Sequence, residues 1–396
     1  MSIIVKLIRL VFGHILLAVS YLFPRNQRIW CFGSKFNGNA KYLYIFMNEN
    51  CRESYRSIWI GDKVEVGIIR LLHLEAYYRW SLKGVYYSLI GGVYVYNSYP
   101  SNINLFTMGG AKLVNLWHGV ALKCIDRQIL TGPTSKYYQS KGIINEIRYL
   151  NFRKHADLVL STSPEMTDIF SEAFDVPPSR IIEGIYPRCC LFDKQKEEIR
   201  SFVRQYEGSA VSSLINRIIS YDYIYVYMPT WRDSGDDFLR QCHFDFRRVN
   251  EVMSKHGRAM IIKMHPDSHL SFEADFSNII VLDKDVDIYP ILPFTNCLIT
   301  DFSSIYFDYL LMDNKDIILF IPDYEEYIVS NRNLAYPYDE VMKGIKARNF
   351  DDLLNVLDMD TRNYDMPELS AVKNRFWSPT YTNMGQLVNA IAEKCS

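Results

Sequence analysis

The chain has 396 residues, 48% of them hydrophobic, 22% charged and 14% aromatic, enough for two or three domains with their own cores. A formal net charge of −1 supplies no global field to draw in nucleic acid, and the lack of a Pro-, Ser- or Gly-rich tract argues against long disorder. The eight cysteines form no Cys-x-x-Cys pair and have no histidine at zinc spacing, which fits free thiols in a reducing cytosol.

Met1–Phe23 comes first in the chain and carries Lys6, Arg9 and His14 among apolar residues. The stretch after Arg9 that lacks Lys, Arg, Asp and Glu is about 14 residues, below the roughly 20 needed to span a bilayer. No small-residue cleavage pattern follows it. Segment 1–27 is therefore expected to be an amphipathic helix lying on a membrane surface with its cations toward the headgroups. An ordinary docking helix and a signal anchor are the alternatives.

Strand-like and helix-like runs then alternate. Expected strands are Arg28–Gly33, Ser57–Gly61, Gly92–Tyr96, Lys112–Leu116, Asp157–Thr162 and Ile181–Ile185, with amphipathic stretches at Lys41–Glu49, Trp80–Leu89 and Ile143–Phe152. A mostly polar, helical passage, Asp193–Ile219, leads to a second series: Tyr223–Met228, Ala259–Met264, Ile279–Leu282, Cys297–Thr300 and Ile317–Ile321. Such alternation predicts an α/β protein with parallel sheets. The expected plan is GT-B-like: Rossmann-like domains at 28–192 and 193–368 facing a cleft, and a helical tail, 369–396, packing back on the first. Gly33-Ser34-Lys35-Phe36-Asn37-Gly38 only loosely resembles a Gly-x-Gly-x-x-Gly loop, and no Gly-Lys-Ser/Thr P-loop occurs, so no dinucleotide cofactor is expected.

Three strand ends carry the chemistry, because open α/β sheets bind ligands at the carboxyl ends of their strands. His118 follows Lys112–Leu116, and His265 follows Ala259–Ile262. Cys297–Thr300 runs into Asp301-Phe302-Ser303-Ser304 and an apolar helix-like stretch, the outline of a phosphate cradle at a helix N-terminus. One imidazole in each half and an anion site in the second suggest a transfer reaction. The acidic run Asp233-Ser234-Gly235-Asp236-Asp237 reads as a solvated loop, so no metal is expected. His73, His155, His243, His256 and His269 have no supporting context.

Several segments, in order, resemble the CDP-glycerol glycerophosphotransferase family, which builds teichoic acids and related phosphate-linked polymers. They are Asn39-Ala40-Lys41-Tyr42, Trp117-His118-Gly119 with Leu122-Lys123, and Gly184-Ile185-Tyr186-Pro187-Arg188. Next come Met228-Pro229-Thr230-Trp231-Arg232-Asp233, Lys263-Met264-His265-Pro266, and Ile299-Thr300-Asp301-Phe302-Ser303-Ser304 with Phe307-Asp308-Tyr309. The resemblance implies transfer of glycerol phosphate, or a related polyol phosphate, from a CDP-activated donor to a hydroxyl on a lipid-linked glycan or surface polymer. CMP would leave, without a cofactor, at the cytoplasmic face of the membrane.

The residues agree with that chemistry. A hydroxyl is a weak nucleophile at neutral pH, and His118 is the candidate base that takes its proton. His265 is the candidate donor on the leaving side, where negative charge grows. Arg232, Lys263, Thr230, Asp301, Ser303 and Ser304 are the candidate donor-binding groups; the planar fork of Arg232 suits two phosphate oxygens. Trp117, Gly119 and Arg188 are candidates for the acceptor side or the passage between domains.

The chain departs from the family pattern at Arg332–Pro337, which lacks a glycine, at Asn383-Met384-Gly385 and at Cys189-Cys190. These departures touch the identity of the polyol and acceptor more than the reaction. The other readings are a GT-B glycosyltransferase using a nucleotide sugar and a catalytically silent nucleotide- or glycan-binding scaffold.

Overall fold

The computed structural model describes residues 3–130, 132, 134–230, 232, 238–264, 276–330, 333–359 and 366–396, with the backbone alone for 3–10 and 329–330. The chain divides into two compact units. The first holds Met1–His118, Ile125–Cys190 and Trp377–Ser396; the second holds Gly119–Cys124 and Leu191–Phe376.

The first unit is built on seven strands: β1 (Asn26–Gly33), β2 (Arg56–Gly61), β3 (Ala76–Tyr78), β4 (Gly91–Tyr96), β5 (Lys112–Asn115), β6 (Leu158–Ser161) and β7 (Ile181–Glu183). They pair in the order β3-β2-β1-β4-β5-β6-β7, every pair parallel. Both faces of such a sheet are covered, which is why β4 reads as an apolar run with all six residues buried. The second unit has β8 (Tyr223–Met228), β9 (Arg258–Ile262), β10 (Ile279–Val281), β11 (Cys297–Thr300), β12 (Asp316–Phe320) and β13 (Ile345–Ala347). Its order, β10-β9-β8-β11-β12-β13, is also parallel throughout. In each sheet the strand order reverses once, between β1 and β4 and between β8 and β11. Loops diverge at such a reversal and leave room for a ligand.

Some local expectations change. The edge strands β3 and β13 were not anticipated from the sequence. The expected helix Ile143–Phe152 breaks at Tyr149 into Ile143–Arg148 and Leu150–Arg153. The passage 193–219 contains two helices, Lys196–Tyr206 and Gly208–Ile218, separated where Gly208 takes φ +84°, a conformation open to glycine. The tail boundary moves from 369 to 377, because Phe376 packs at 4.7 Å on Phe307 and 5.3 Å on Tyr336 of the second unit. Beyond it, Ser378 N–H donates to the Thr162 carbonyl and Tyr381 bridges Gly184 within the first unit.

The first helix, Ile3–Ser20, has two faces over its second half. Gly13 lies against the Phe106 ring, where no Cβ would fit, and Ser20 Oγ accepts from Gly109 N–H at 2.9 Å. Val11, Phe12, Ile15 and Val19 face solvent at helical spacing, followed by Leu22. No helix among the described residues is long and apolar enough to cross a membrane.

Candidate active site

In the first unit β5 ends at Asn115, and the chain turns sharply through Trp117-His118-Gly119. Trp117 adopts φ +50° and Gly119 φ +156°, both costly for most side chains, so the surroundings must hold the turn. Asn39, fully buried near the start of the helix Gly38–Asn50, supplies much of that hold. Its Nδ2 donates to the carbonyls of Leu116 (3.1 Å) and Trp117 (2.9 Å), and its Oδ1 lies 3.4 Å from Arg188 N. Arg188, also buried, donates from Nη1 to the His118 carbonyl at 2.9 Å and stacks on Tyr186. Trp117 is wedged against Phe174 at 4.8 Å, and its N–H donates to Asn115 Oδ1 at 3.0 Å.

The His118 ring is fixed through Nδ1, 3.3 Å from the Asn97 carbonyl and 3.4 Å from Ser98 Oγ. A carbonyl only accepts, so Nδ1 carries the hydrogen and Nε2 keeps its lone pair. Asn97 is itself anchored: its Oδ1 accepts from Ala40 N–H at 2.8 Å, and its Nδ2 donates to Ser34 Oγ and the Asn37 carbonyl. These bonds tie the loops after β1 and β4, the reversal point of this sheet. Burial lowers the imidazole from 6.5 to about 4; the Asn97 carbonyl opposes that change and the Arg188 guanidinium adds to it. The residue is nonetheless exposed at the turn, and the lowered pKa leaves the imidazole neutral at pH 7.

At the corresponding reversal of the second sheet, between β8 and β11, the polar groups are charged. Arg232 is only 4% exposed. Its Nη2 lies 2.8 Å from Asp301 Oδ2 and 3.0 Å from Asp323 Oδ1, its Nε 2.6 Å from Asp323 Oδ2, and its Nη1 donates to the Thr230 carbonyl. The rings of Phe238 and Tyr327 flank the guanidinium at 4.1 and 4.7 Å. Burial works against the charge, but the two carboxylates outweigh it and raise the Arg232 pKa. The fork expected to face phosphate thus faces carboxylates, a correction whose cause is Asp323, 91 residues away in sequence. Asp301 also accepts from the N–H groups of Thr230 and Phe302, so it knits the loops after β8 and β11 together.

The remaining expected donor groups lie around this knot or at the neighbouring strand. Thr230 Oγ1 is buried with no partner among the described residues. Ser303 and Ser304 are half-buried, and Ser304 makes no capping bond to the short helix Ile305–Tyr309 that follows. Lys263, at the end of β9, donates to the Asp283 carbonyl at 2.7 Å; burial lowers its pKa while Asp287, Asp283 and Asp285 oppose that. His265 lies outside the described residues, as do Trp231, the acidic run Asp233–Asp237 and Arg332. Among the described residues no three His, Cys, Asp or Glu side chains gather as for a metal.

Asn97, Ser98 and Asp323 went unnoticed in the sequence, and Asn39 appeared there only as part of a motif. Turn-forming asparagines are common, and nothing local distinguishes those that reach across a sheet.

A family model described as CDP-Glycerol:Poly(glycerophosphate) glycerophosphotransferase matches residues 17–388. The chain is 26% identical over 378 residues to a teichoic acid poly(glycerol phosphate) polymerase of Bacillus spizizenii, covering 88% of this chain and 87% of the relative. It is 23% identical over 345 residues to a teichoic acid glycerol-phosphate transferase of Staphylococcus aureus, covering 82% and 81%. The solved structure of the wall teichoic acid polymerase TagF is similar in fold, GT-B-like, with a TM-score of 0.72 at 20% identity over 98% of this chain and 95% of that one. With a family model matching most of its length, the chain belongs to the CDP-glycerol:poly(glycerophosphate) glycerophosphotransferase family and is a phosphotransferase of that class.

Proposed function

We propose that the chain moves glycerol phosphate, or a closely related polyol phosphate, from its CDP ester to a hydroxyl of a lipid-linked glycan or surface polymer. His118 Nε2 takes the proton of the acceptor hydroxyl as its oxygen bonds to the phosphorus that bears the polyol. The bond from that phosphorus to the bridging oxygen breaks, and CMP leaves with the electron pair. A positioned imidazole of this kind contributes roughly 10²–10⁴-fold. Trp117 and Gly119 shape the turn, and Arg188 braces it.

In the second unit Thr230, Ser303, Ser304 and Lys263 bind the donor diphosphate, with His265 donating to the leaving side. Arg232 and Asp301 position these loops from within. The observation that carries the reading is the Asn97 carbonyl on His118 Nδ1, which leaves an unprotonated Nε2 at an exposed turn.

The solvent-facing row Val11, Phe12, Ile15, Val19 and Leu22 supports a helix lying in the interface at the cytoplasmic face of the membrane, beside a lipid-linked acceptor. The test is a screen of CDP-glycerol, CDP-ribitol and nucleotide sugars with a lipid-linked glycan, following released nucleotide. CMP from a CDP-polyol is expected; turnover confined to nucleotide sugars, or none with any donor, overturns the proposal.

A further inference from the structure

The diphosphate of a CDP ester carries negative charge that grows on the leaving side as the bond breaks, so its site calls for cations. Neither basic residue expected there is well placed to meet it. Arg232 is matched by Asp301 and Asp323, and Lys263 donates to the Asp283 carbonyl in the field of Asp283, Asp285 and Asp287. Thr230, Ser303 and Ser304 bring hydroxyls but no charge.

Another cation reaches the same region by a different route. Gly119–Cys124, the segment directly after the base, belongs to the second unit. Gly119, Val120, Ala121 and Leu122 are buried, so the segment is firmly seated there. Cys124 N–H donates to the Asn333 carbonyl at 2.8 Å, and Ala335 N–H donates to the Leu122 carbonyl at 2.9 Å. Lys123 stands between these bonds, paired antiparallel with Leu334. Such pairing fixes the backbone and with it the side from which the lysine stem leaves.

Lys123 is half-buried, and its ammonium lies 5.2 Å from the centre of the Tyr327 ring. That ring stacks face to face on Phe302, with centroids 3.7 Å apart. Phe302 sits within Asp301-Phe302-Ser303-Ser304, the loop that follows β11. The ammonium is therefore one aromatic ring away from the loop proposed to hold phosphate. Lysine has a flexible stem and three rotatable donors, and a charge-assisted bond to an anion is stronger than contact with a ring face.

We propose that Lys123 binds the donor diphosphate, its ammonium turning from the Tyr327 ring to phosphate oxygens at the Asp301–Ser304 loop. The assignment rests on the transferase reading above. One short stretch, His118–Lys123, then carries both the base and a cation for the donor. The site is tested by titrating the full chain, without acceptor, with CDP and with cytidine, which lacks the phosphates.

Wild type is expected to bind CDP more tightly than cytidine. Lys123→Met, which keeps the stem and loses the charge, is expected to weaken CDP about 10- to 100-fold and to change cytidine by less than about twofold. Lys123→Arg is expected to recover most of the CDP affinity. A lysine that only props Tyr327 would shift both ligands by one factor, or neither, and either result in a folded Lys123→Met overturns the proposal. Wild type gives a second reading through acetic anhydride, which labels accessible amines. CDP, and not cytidine, is expected to shield Lys123 in peptide mass spectra; equal labelling with and without CDP overturns the site. Wild type that binds CDP without either effect loses Lys123 alone, whereas wild type that does not bind CDP loses the donor reading with it.

Discussion

The two sheets share one strand order over six strands, to which the first adds β7, yet the units stabilise their reversal points in different ways. In the first, the amides of Asn39 and Asn97, with the Arg188 guanidinium on the His118 carbonyl, fix a turn and a ring, and among the described residues no carboxylate pairs with the imidazole. In the second, a buried guanidinium is caught between two carboxylates. The difference follows from what each loop presents. A histidine with no carboxylate raising its pKa stays neutral at pH 7, whereas a loop proposed to meet a diphosphate benefits from a rigid frame whose charges already cancel one another. Common topology sets where polar groups gather; the side chains set which charge state they keep.

The contrast breaks most visibly at His118. Replacement by alanine is expected to lower kcat by roughly 10²–10⁴-fold while CDP-glycerol binding, which is proposed for the other unit, persists. A rate assay combined with donor titration reads both. Arg232→Ala tests the charged side: it leaves the buried Asp301 and the half-buried Asp323 without their shared cation and is expected to cost about 3–5 kcal/mol in chemical unfolding. A midpoint close to wild type would mean that the network is not a frame.

Asn39→Ala removes two bonds to buried carbonyls and should cost about 1–3 kcal/mol, with a fall in kcat larger than any change in donor KM because the turn, not the donor loops, loosens. Asp126→Asn sharpens the picture of the first unit through pH. Burial raises the Asp126 carboxyl from 3.8 to about 8, so its favourable contribution is complete below 3.8 and disappears as pH rises through about 8. The asparagine variant should therefore gain thermal stability over wild type at alkaline pH and little in acid. The smallest effect concerns the first helix: deleting Met1–Phe23 should weaken sedimentation with anionic liposomes without abolishing turnover on a soluble acceptor.

The fold was legible in the sequence where strands are long and buried on both faces, as in Gly91–Tyr96 and Tyr223–Met228. The strands Ala76–Tyr78 and Ile345–Ala347 were not, since these short edge strands lack the paired isoleucines that mark the equally short Ile181–Glu183 and Ile279–Val281. His118 stood out through its position after a strand and its Trp-His-Gly setting. Its supports did not, because the bond from Asn39 to Trp117 spans 78 residues and becomes visible only once β1 and β5 share a sheet. Arg232 misled for the same reason. Its chemistry suits phosphate, and only the fold brings Asp323 to its fork.

The central claim is that His118 acts as a base whose neutral form is secured by its surroundings. Single-turnover CMP release by wild type and His118→Ala, followed from neutral to acid pH, tests it most directly. The account predicts that wild-type release continues as pH falls through 6.5 and declines only toward about 4, and that this acid limb is absent from the much slower variant. A wild-type limb at or above 6.5, or a variant releasing CMP at the wild-type rate, would contradict it.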